Sequence, residues 1–241
     1  MPNVKDAAAL DAAYATATKK IQAREIPTVL VQAGHTVFRS INPNSPYTPL
    51  PKPNPGTHVS KLKANPLLVP GDGAVDLGNR FSGPSHNPGI ASAGGFYCVL
   101  QQQALVNEST HYSGKAAFWA LSGRCVLRIR LMGAMLVADL SPHNPQARRF
   151  LREMGGKTWD QMNDPNDCSV ARGIGLAVAH SGFLRGLSVQ TVRMSERSDE
   201  ERGDNLVLFA APGQAVAGLY IEEASYFGKT SKPEVFPVAF P

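Results

Sequence analysis

Apolar and polar side chains alternate most clearly over residues 125–131, where Arg128 and Arg130 fall on one side of the pattern and apolar residues on the other. A period of two is the spacing of a strand with one buried face, so this segment predicts a half-buried strand. Shorter apolar runs bounded by glycine, proline or polar residues predict further strands. These runs cover residues 28–31, 36–41, 96–100, 135–140, 187–193, 206–210 and 217–221.

Four other segments predict helices. Residues 4–23 are rich in alanine, so their apolar stripe buries little area and this helix is expected on the surface. Asn144 followed by Pro145 is typical of a helix start. The remaining helices are expected over residues 101–112 and 169–180. Because strands and helices are mixed irregularly along the chain, the pattern favours an α+β fold.

Two segments predict loops. Residues 42–56 contain six prolines, which fix φ and remove backbone donors, so an extended surface loop is expected there. Residues 71–95 are rich in glycine and carry one short segment around Arg80. Neither segment shows a repeat that would indicate a solenoid or an array.

Composition excludes several classes of protein. Of the 241 residues 43% are hydrophobic and 18% charged, which suits a chain with a real core and excludes bulk disorder. The net charge of +5 is compatible with phosphate-bearing ligands. Since no basic tract is interleaved with aromatics, direct nucleic-acid binding is not expected. No apolar run reaches membrane-spanning length, and the N-terminus lacks a signal-peptide pattern.

The three cysteines, Cys98, Cys125 and Cys168, form no C-x-x-C pair. Their odd number and spacing argue against a disulfide framework and against a zinc site. Free thiols suit a reducing compartment, so a cytoplasmic protein without a metal is expected, in its own cell or, if something other than a cleaved leader exports it, in a target cell.

One set of polar residues suggests chemistry. Arg39 lies on an apolar strand, Arg80 in a loop, Tyr97 after two glycines, Glu108 on a helix and Thr191 at a strand end. Guanidinium groups bind phosphate through paired hydrogen bonds. A carboxylate binds ribose hydroxyls and stabilises an oxocarbenium-like centre, and an aromatic ring stacks on a flat base. The set would suit a ligand with phosphates, a sugar and a ring.

The order and the amino-acid sequences of these segments resemble the RES-domain family, which is named for its arginine, glutamate and serine. The resemblance spans residues 37–210 and is carried by four short segments: VFRSINPN (37–44), GNRFSGP (78–84), GGFYCVLQQQALVNES (94–109), and GLSVQTVR with DNLVLF (186–193 and 204–209).

The resemblance implies an ADP-ribosyltransferase-like split β-sheet core with surrounding helices and a cleft for NAD⁺. It divides the chain into an N-terminal helical extension over residues 1–26 and a single catalytic domain over residues 27–241. Family members are often toxins paired with an antitoxin or immunity protein. They cleave the nicotinamide–ribose bond as NAD⁺ glycohydrolases or phosphorylases, or they transfer ADP-ribose to protein.

Residue by residue, the resemblance implies that Glu108 holds the nicotinamide ribose, that Arg39 and Arg80 clamp the pyrophosphate, and that Tyr97 flanks the nicotinamide. Thr191 stands where the family usually has serine. Threonine keeps the hydroxyl but adds a methyl group and restricts χ1. The alternative is therefore a catalytically weakened module that binds NAD⁺ or a partner protein.

Each candidate also has a plain structural interpretation, such as a strand arginine, a surface ion pair, a core tyrosine or an exposed helix glutamate. The helix before Glu108 offers only neutral polar groups, namely Asn107 and the glutamines at 101–103. The absence of a second acid there favours water or phosphate over a protein side chain as the acceptor. A further alternative is an unrelated α+β hydrolase that uses Cys168 or a serine.

Overall fold

The computed structural model describes residues 4–41, 60–61, 80–102, 104–105, 124–141, 143–154, 167–190, 204–227 and 234–239. These ranges contain ten strands and three named helices. The strands are β1 (Thr28–Val31), β2 (Thr36–Ile41), β3 (Ser60–Lys61), β4 (Gly94–Val99), β5 (Arg124–Leu131), β6 (Met135–Asp139), β7 (Gly186–Gln190), β8 (Asp204–Ala210), β9 (Leu219–Phe227) and β10 (Glu234–Ala239). The helices are α1 (Ala7–Gln22), α2 (Pro145–Glu153) and α3 (Ser169–Ala179).

The strands lie in the order β1-β6-β7-β8-β4-β2-β5-β9-β10-β3. Neighbours are antiparallel except for the β6–β7 and β10–β3 pairs, which are parallel. Strands and helices do not alternate as they do in a doubly wound fold. The expected α+β class is therefore confirmed.

The sheet is weakly joined between β2 and β4. These two strands pair at one position, Phe38 with Val99, whereas β2 pairs with β5 over its whole length. The sheet thus divides into a half that ends at β4 and a half that begins at β2. One apolar cluster takes Val31 and Val137 from the first half and Leu127 from the second, so the two halves share a core.

The helices cover the other face of the first half. A second apolar cluster joins Ala17 of α1 and Ile174 of α3 to strand residues Leu187 and Val207. Since β-strand side chains alternate between faces, this half of the sheet is buried on both sides.

The N-terminal helix lies at the surface as expected, with one face exposed, but its other face is tightly packed. Leu10 and Ala17 are 0% exposed, and α1 packs along α3. A Cβ on Gly173 would lie 2.4 Å from the Leu10 carbonyl oxygen, so the two backbones approach as closely as glycine allows. The buried face of this helix therefore combines close backbone approach at small residues with the apolar side chains of Leu10 and Ile21.

Several local predictions are confirmed. In β5 the side chains of Arg128 and Arg130 are exposed while those of Leu127 and Ile129 are buried, which is the pattern of a half-buried strand. Asn144 caps α2 by accepting a hydrogen bond from the Gln146 amide, with proline at the first turn. Helix α3 is buried along almost its entire length.

Other predictions differ from the structure or concern residues outside the described ranges. The strand expected over residues 217–221 begins at Leu219 and continues to Phe227, and β3 and β10 were not predicted. Of the helix expected over residues 101–112, four residues are described: Gln102, Ala104 and Leu105 are helical, and Gln101 is not. The proline-rich segment 42–56 and the end of the strand beyond residue 190 lie outside the described residues. In the described part of the chain, no helix combines the length and apolar character needed to cross a membrane.

Candidate functional site

Arg39 lies on β2, beside the weak junction of the two sheet halves. Its guanidinium carbon sits 4.2 Å from the centre of the Phe96 ring on β4, a cation–π geometry. Its Nη1 is enclosed and has no hydrogen-bond partner among the described residues, although the residue as a whole keeps some exposed surface. A buried donor without a partner costs free energy, so this position is unusual for a purely structural arginine.

Burial lowers the pKa of Arg39 to about 10, and the neighbouring Cys98 thiol partly offsets that effect. The guanidinium still carries its charge at neutral pH. Cys98 is itself buried, and burial raises the pKa of its thiol to about 12. The result is a fixed positive charge in an apolar surrounding, where an anion would be bound more strongly than in water.

Arg80 and Tyr97 lie close together on the helix-covered side of the sheet. The Tyr97 hydroxyl accepts a hydrogen bond from the Phe81 amide at 3.0 Å, next to Arg80. Burial raises the pKa of Tyr97 to about 12, while hydrogen bonds from Phe81 and Ser82 and the charge of Arg80 act in the opposite direction. The phenol is therefore neutral at physiological pH.

Arg172 was missed by the sequence reasoning. It lies inside the apolar helix α3, is 3% exposed, and its charge lowers the pKa of both Tyr97 and Cys168. The charges of Arg80 and Arg172 thus both counteract the rise in the pKa of Tyr97 that burial causes. The available signal was an arginine in the first turn of a largely apolar helix, where a charged side chain is seldom fully buried without a partner.

The structure brings Arg80 and Tyr97 together but places Arg39 elsewhere. Alternation along β4 puts Phe96 on one face and Tyr97 on the other, and the two belong to different apolar clusters. Arg39 packs on Phe96, so it lies on the opposite face of β4 from Tyr97. The structure therefore places Arg39 and the Arg80–Tyr97 pair on opposite faces of β4.

Glu108 and Thr191 lie outside the described residues, so their predicted roles stay predictions. After Val99 the chain leaves β4 at the junction of the halves and turns helical at Gln102, and β7 ends at Gln190 beside β8.

The remaining candidates are placed as follows. The Cys168 thiol is completely buried, and burial raises its pKa, which suits a structural thiol. Ser188 is 6% exposed on β7, and Asn205 lies on β8 opposite Val99 and Val189. Within the described ranges no three histidine, cysteine, aspartate or glutamate side chains form a group that could hold a metal. The expectation of a metal-free site stays a prediction.

Comparison with known proteins adds no relative: neither a family model, nor a curated protein, nor a solved structure matches the chain.

Proposed function

We propose that this chain consumes NAD⁺ by cleaving the bond between nicotinamide and ribose. The observation that carries the proposal is the enclosed cation of Arg39, whose Nη1 lacks a partner among the described residues and whose position matches the first motif segment. A dinucleotide phosphate would supply the missing acceptor. Arg80, on the other face of β4, is the proposed second phosphate contact.

The sheet geometry supports the finer part of the proposal, an ADP-ribosyltransferase-like split core. The two halves are joined at one β2–β4 position, and Arg39 lies next to it. A cleft at such a division would expose the ends of both halves to a ligand. Glu108, a few residues beyond the end of β4, would then stabilise positive charge on the ribose as neutral nicotinamide departs.

Nicotinamide release tests the proposal directly. Purified wild-type chain should release nicotinamide from NAD⁺, and Glu108→Gln should reduce the rate by roughly 100-fold or more, because the variant keeps the shape but loses the charge. Glu153→Gln is the matched control, since Glu153 lies on α2 in a surface ion pair with Lys20. A folded wild-type chain that leaves NAD⁺ intact would overturn the proposal.

Thr191 supports a second candidate, a weakened module of the same kind that binds NAD⁺ without efficient turnover. Calorimetry with NAD⁺ separates the two functions, because binding without nicotinamide release favours the module. If the extra methyl group of Thr191 is what slows catalysis, Thr191→Ser should raise the rate of nicotinamide release.

The acceptor is proposed to be water or phosphate, because the residues preceding Glu108 are neutral amides. Mass spectrometry of host proteins after incubation with NAD⁺ checks this, since an added ADP-ribose would instead indicate a protein ADP-ribosyltransferase.

An enzyme that destroys NAD⁺ endangers the cell that makes it, so the proposal extends to a neutralising antitoxin or immunity protein. Expression of the wild-type chain alone should lower cellular NAD⁺ and arrest growth, whereas Glu108→Gln should do neither. Normal growth with undiminished NAD⁺ would count against both toxicity and the partner.

A further inference from the structure

The backbone around Arg80 is held by a set of close contacts. We call residues 80–83 the Arg80 turn. The Phe81 amide of this turn donates to the Tyr97 hydroxyl at 3.0 Å. The Gly83 amide donates to the Ala93 carbonyl oxygen at 2.9 Å. Phe81 and Ser82 are each 3% exposed, so the turn is anchored in the interior.

Two glycines let neighbouring elements approach this turn. A Cβ on Gly175 of α3 would lie 1.9 Å from the Phe81 carbonyl oxygen, so the helix backbone rests directly against the turn. A Cβ on Gly95 of β4 would lie 2.7 Å from the Ser82 hydroxyl oxygen and 2.9 Å from the Tyr97 ring. The turn is thus enclosed between α3 and β4, with the Tyr97 hydroxyl as its polar anchor.

We infer that Tyr97 is a positioning residue for Arg80: its hydroxyl fixes the Phe81 amide and thereby sets where the Arg80 guanidinium can lie. The inference deepens the proposed function, on which it rests for the identity of the ligand as the NAD⁺ pyrophosphate. This role of Tyr97 differs from stacking on nicotinamide, because it depends on the hydrogen bond of the hydroxyl and not on the face of the ring.

The phenol suits this task. It is neutral at physiological pH, since burial raises its pKa to about 12, and it therefore keeps both a lone pair for the amide and its own proton. Phenylalanine at position 97 would fill the same space but leave the enclosed Phe81 amide without its acceptor. A displaced turn would carry Arg80 with it, and small displacements of a binding group weaken substrate binding strongly.

Hydrogen exchange tests the positioning independently of any activity. In Tyr97→Phe, the Phe81 amide should exchange roughly five-fold faster, the factor expected for the loss of about one net hydrogen bond. Ser225→Ala is the control, because it also removes one hydroxyl hydrogen bond, to Glu223 at 3.1 Å, but on β9 in the other half of the sheet. Unchanged exchange at Phe81 in Tyr97→Phe would overturn the inference, whether or not the chain cleaves NAD⁺.

Kinetics then test the consequence for Arg80. Tyr97→Phe should raise the KM for NAD⁺ roughly five-fold with a smaller change in kcat, because the proposed contact is made in the ground state as well as the transition state. In an Arg80→Lys background the same substitution should have almost no further effect, since the arginine it positions is already gone. Independent, multiplicative losses would show that Tyr97 acts on the substrate itself.

Failure of the proposed function is distinguishable from failure of this inference. If wild-type chain neither binds nor cleaves NAD⁺ but Tyr97→Phe accelerates exchange at Phe81, the NAD⁺ assignment falls and Tyr97 still positions the Arg80 turn. Should Tyr97→Phe fold poorly, Gly95→Ala supplies the second variant. Its new methyl group pushes on Ser82 and the Tyr97 ring, and exchange at Phe81 should again rise. No change at Phe81 in that variant counts against the inference.

Discussion

Arg39 is the residue at which stability and function are expected to oppose each other. Its Nη1 is enclosed without a partner among the described residues, a cost of about 1–3 kcal/mol that the cation–π contact with Phe96 offsets in part. Arg39→Met keeps a long side chain and removes the charge. We expect the free energy of unfolding to stay equal or rise, while NAD⁺ cleavage falls roughly ten- to hundred-fold.

The comparison for that experiment is Arg124→Met. Arg124 donates through Nε to the Ser40 hydroxyl and through Nη2 to the Ser40 carbonyl oxygen at 3.3 Å. Losing these bonds should lower the free energy of unfolding by about 1 kcal/mol in urea titrations. A loss above about 2 kcal/mol in Arg39→Met instead would mark Arg39 as structural.

Individual candidate residues could be proposed from the sequence because each motif is short and local, and their roles stay predictions. Their mutual placement could not, because it depends on which face of β4 each one meets. Tyr97 and Phe96 are adjacent in sequence yet lie on opposite faces of that strand, which separates Arg39 from the Tyr97 phenol. Arg172 was missed for a related reason, since only the folded structure brings its charge near Tyr97.

The contact between α1 and α3 is the element-scale feature on which the N-terminal helix depends. A Cβ on Gly173 would lie 2.4 Å from the Leu10 carbonyl oxygen and 2.9 Å from the Ala13 Cβ. Gly173→Ala should therefore separate the helices and lower the free energy of unfolding by roughly 1–3 kcal/mol, despite the better helix propensity of alanine. Thermal and urea unfolding measure the effect.

Gly133→Ala is the control for that substitution, because a Cβ at Gly133 would meet nothing within 4 Å. It should change the free energy of unfolding by less than about 0.5 kcal/mol. Equal stability of the two variants would show that α1 accommodates the new methyl group at position 173 without a loss in the free energy of unfolding.

Elements with a strong local signal were predicted well, and elements fixed by distant partners were not. The alternation of β5 and the Asn144 cap of α2 are readable from neighbouring residues. Strand β3 has two residues and exists through parallel pairing with β10, and β10 contains Pro237, which argues against a strand in a sequence pattern. No local pattern reveals such a pairing.

At the scale of the whole molecule, the core keeps its thiols uncharged. All three cysteines are free and buried, and burial raises the pKa of both Cys98 and Cys125 to about 12. Both lie in the apolar cluster shared by the two halves of the sheet. Ionisation of either thiol would place a charge between the halves, so the joint core and the protonation state of the thiols are linked.

This linkage predicts an alkaline limit to stability. Because the folded state raises the pKa of Cys98 and Cys125 from 9.0 to about 12, their contribution is complete below pH 9 and is lost as the pH rises through the interval up to about 12. The free energy of unfolding from urea titrations should fall above pH 9 by at most about 1.4 kcal/mol per pH unit for each thiol. The double variant Cys98→Ala, Cys125→Ala should be less stable at pH 8 but show a shallower decline, since its core has two fewer groups to ionise. Parallel declines in the two proteins would mean that other groups set the alkaline limit.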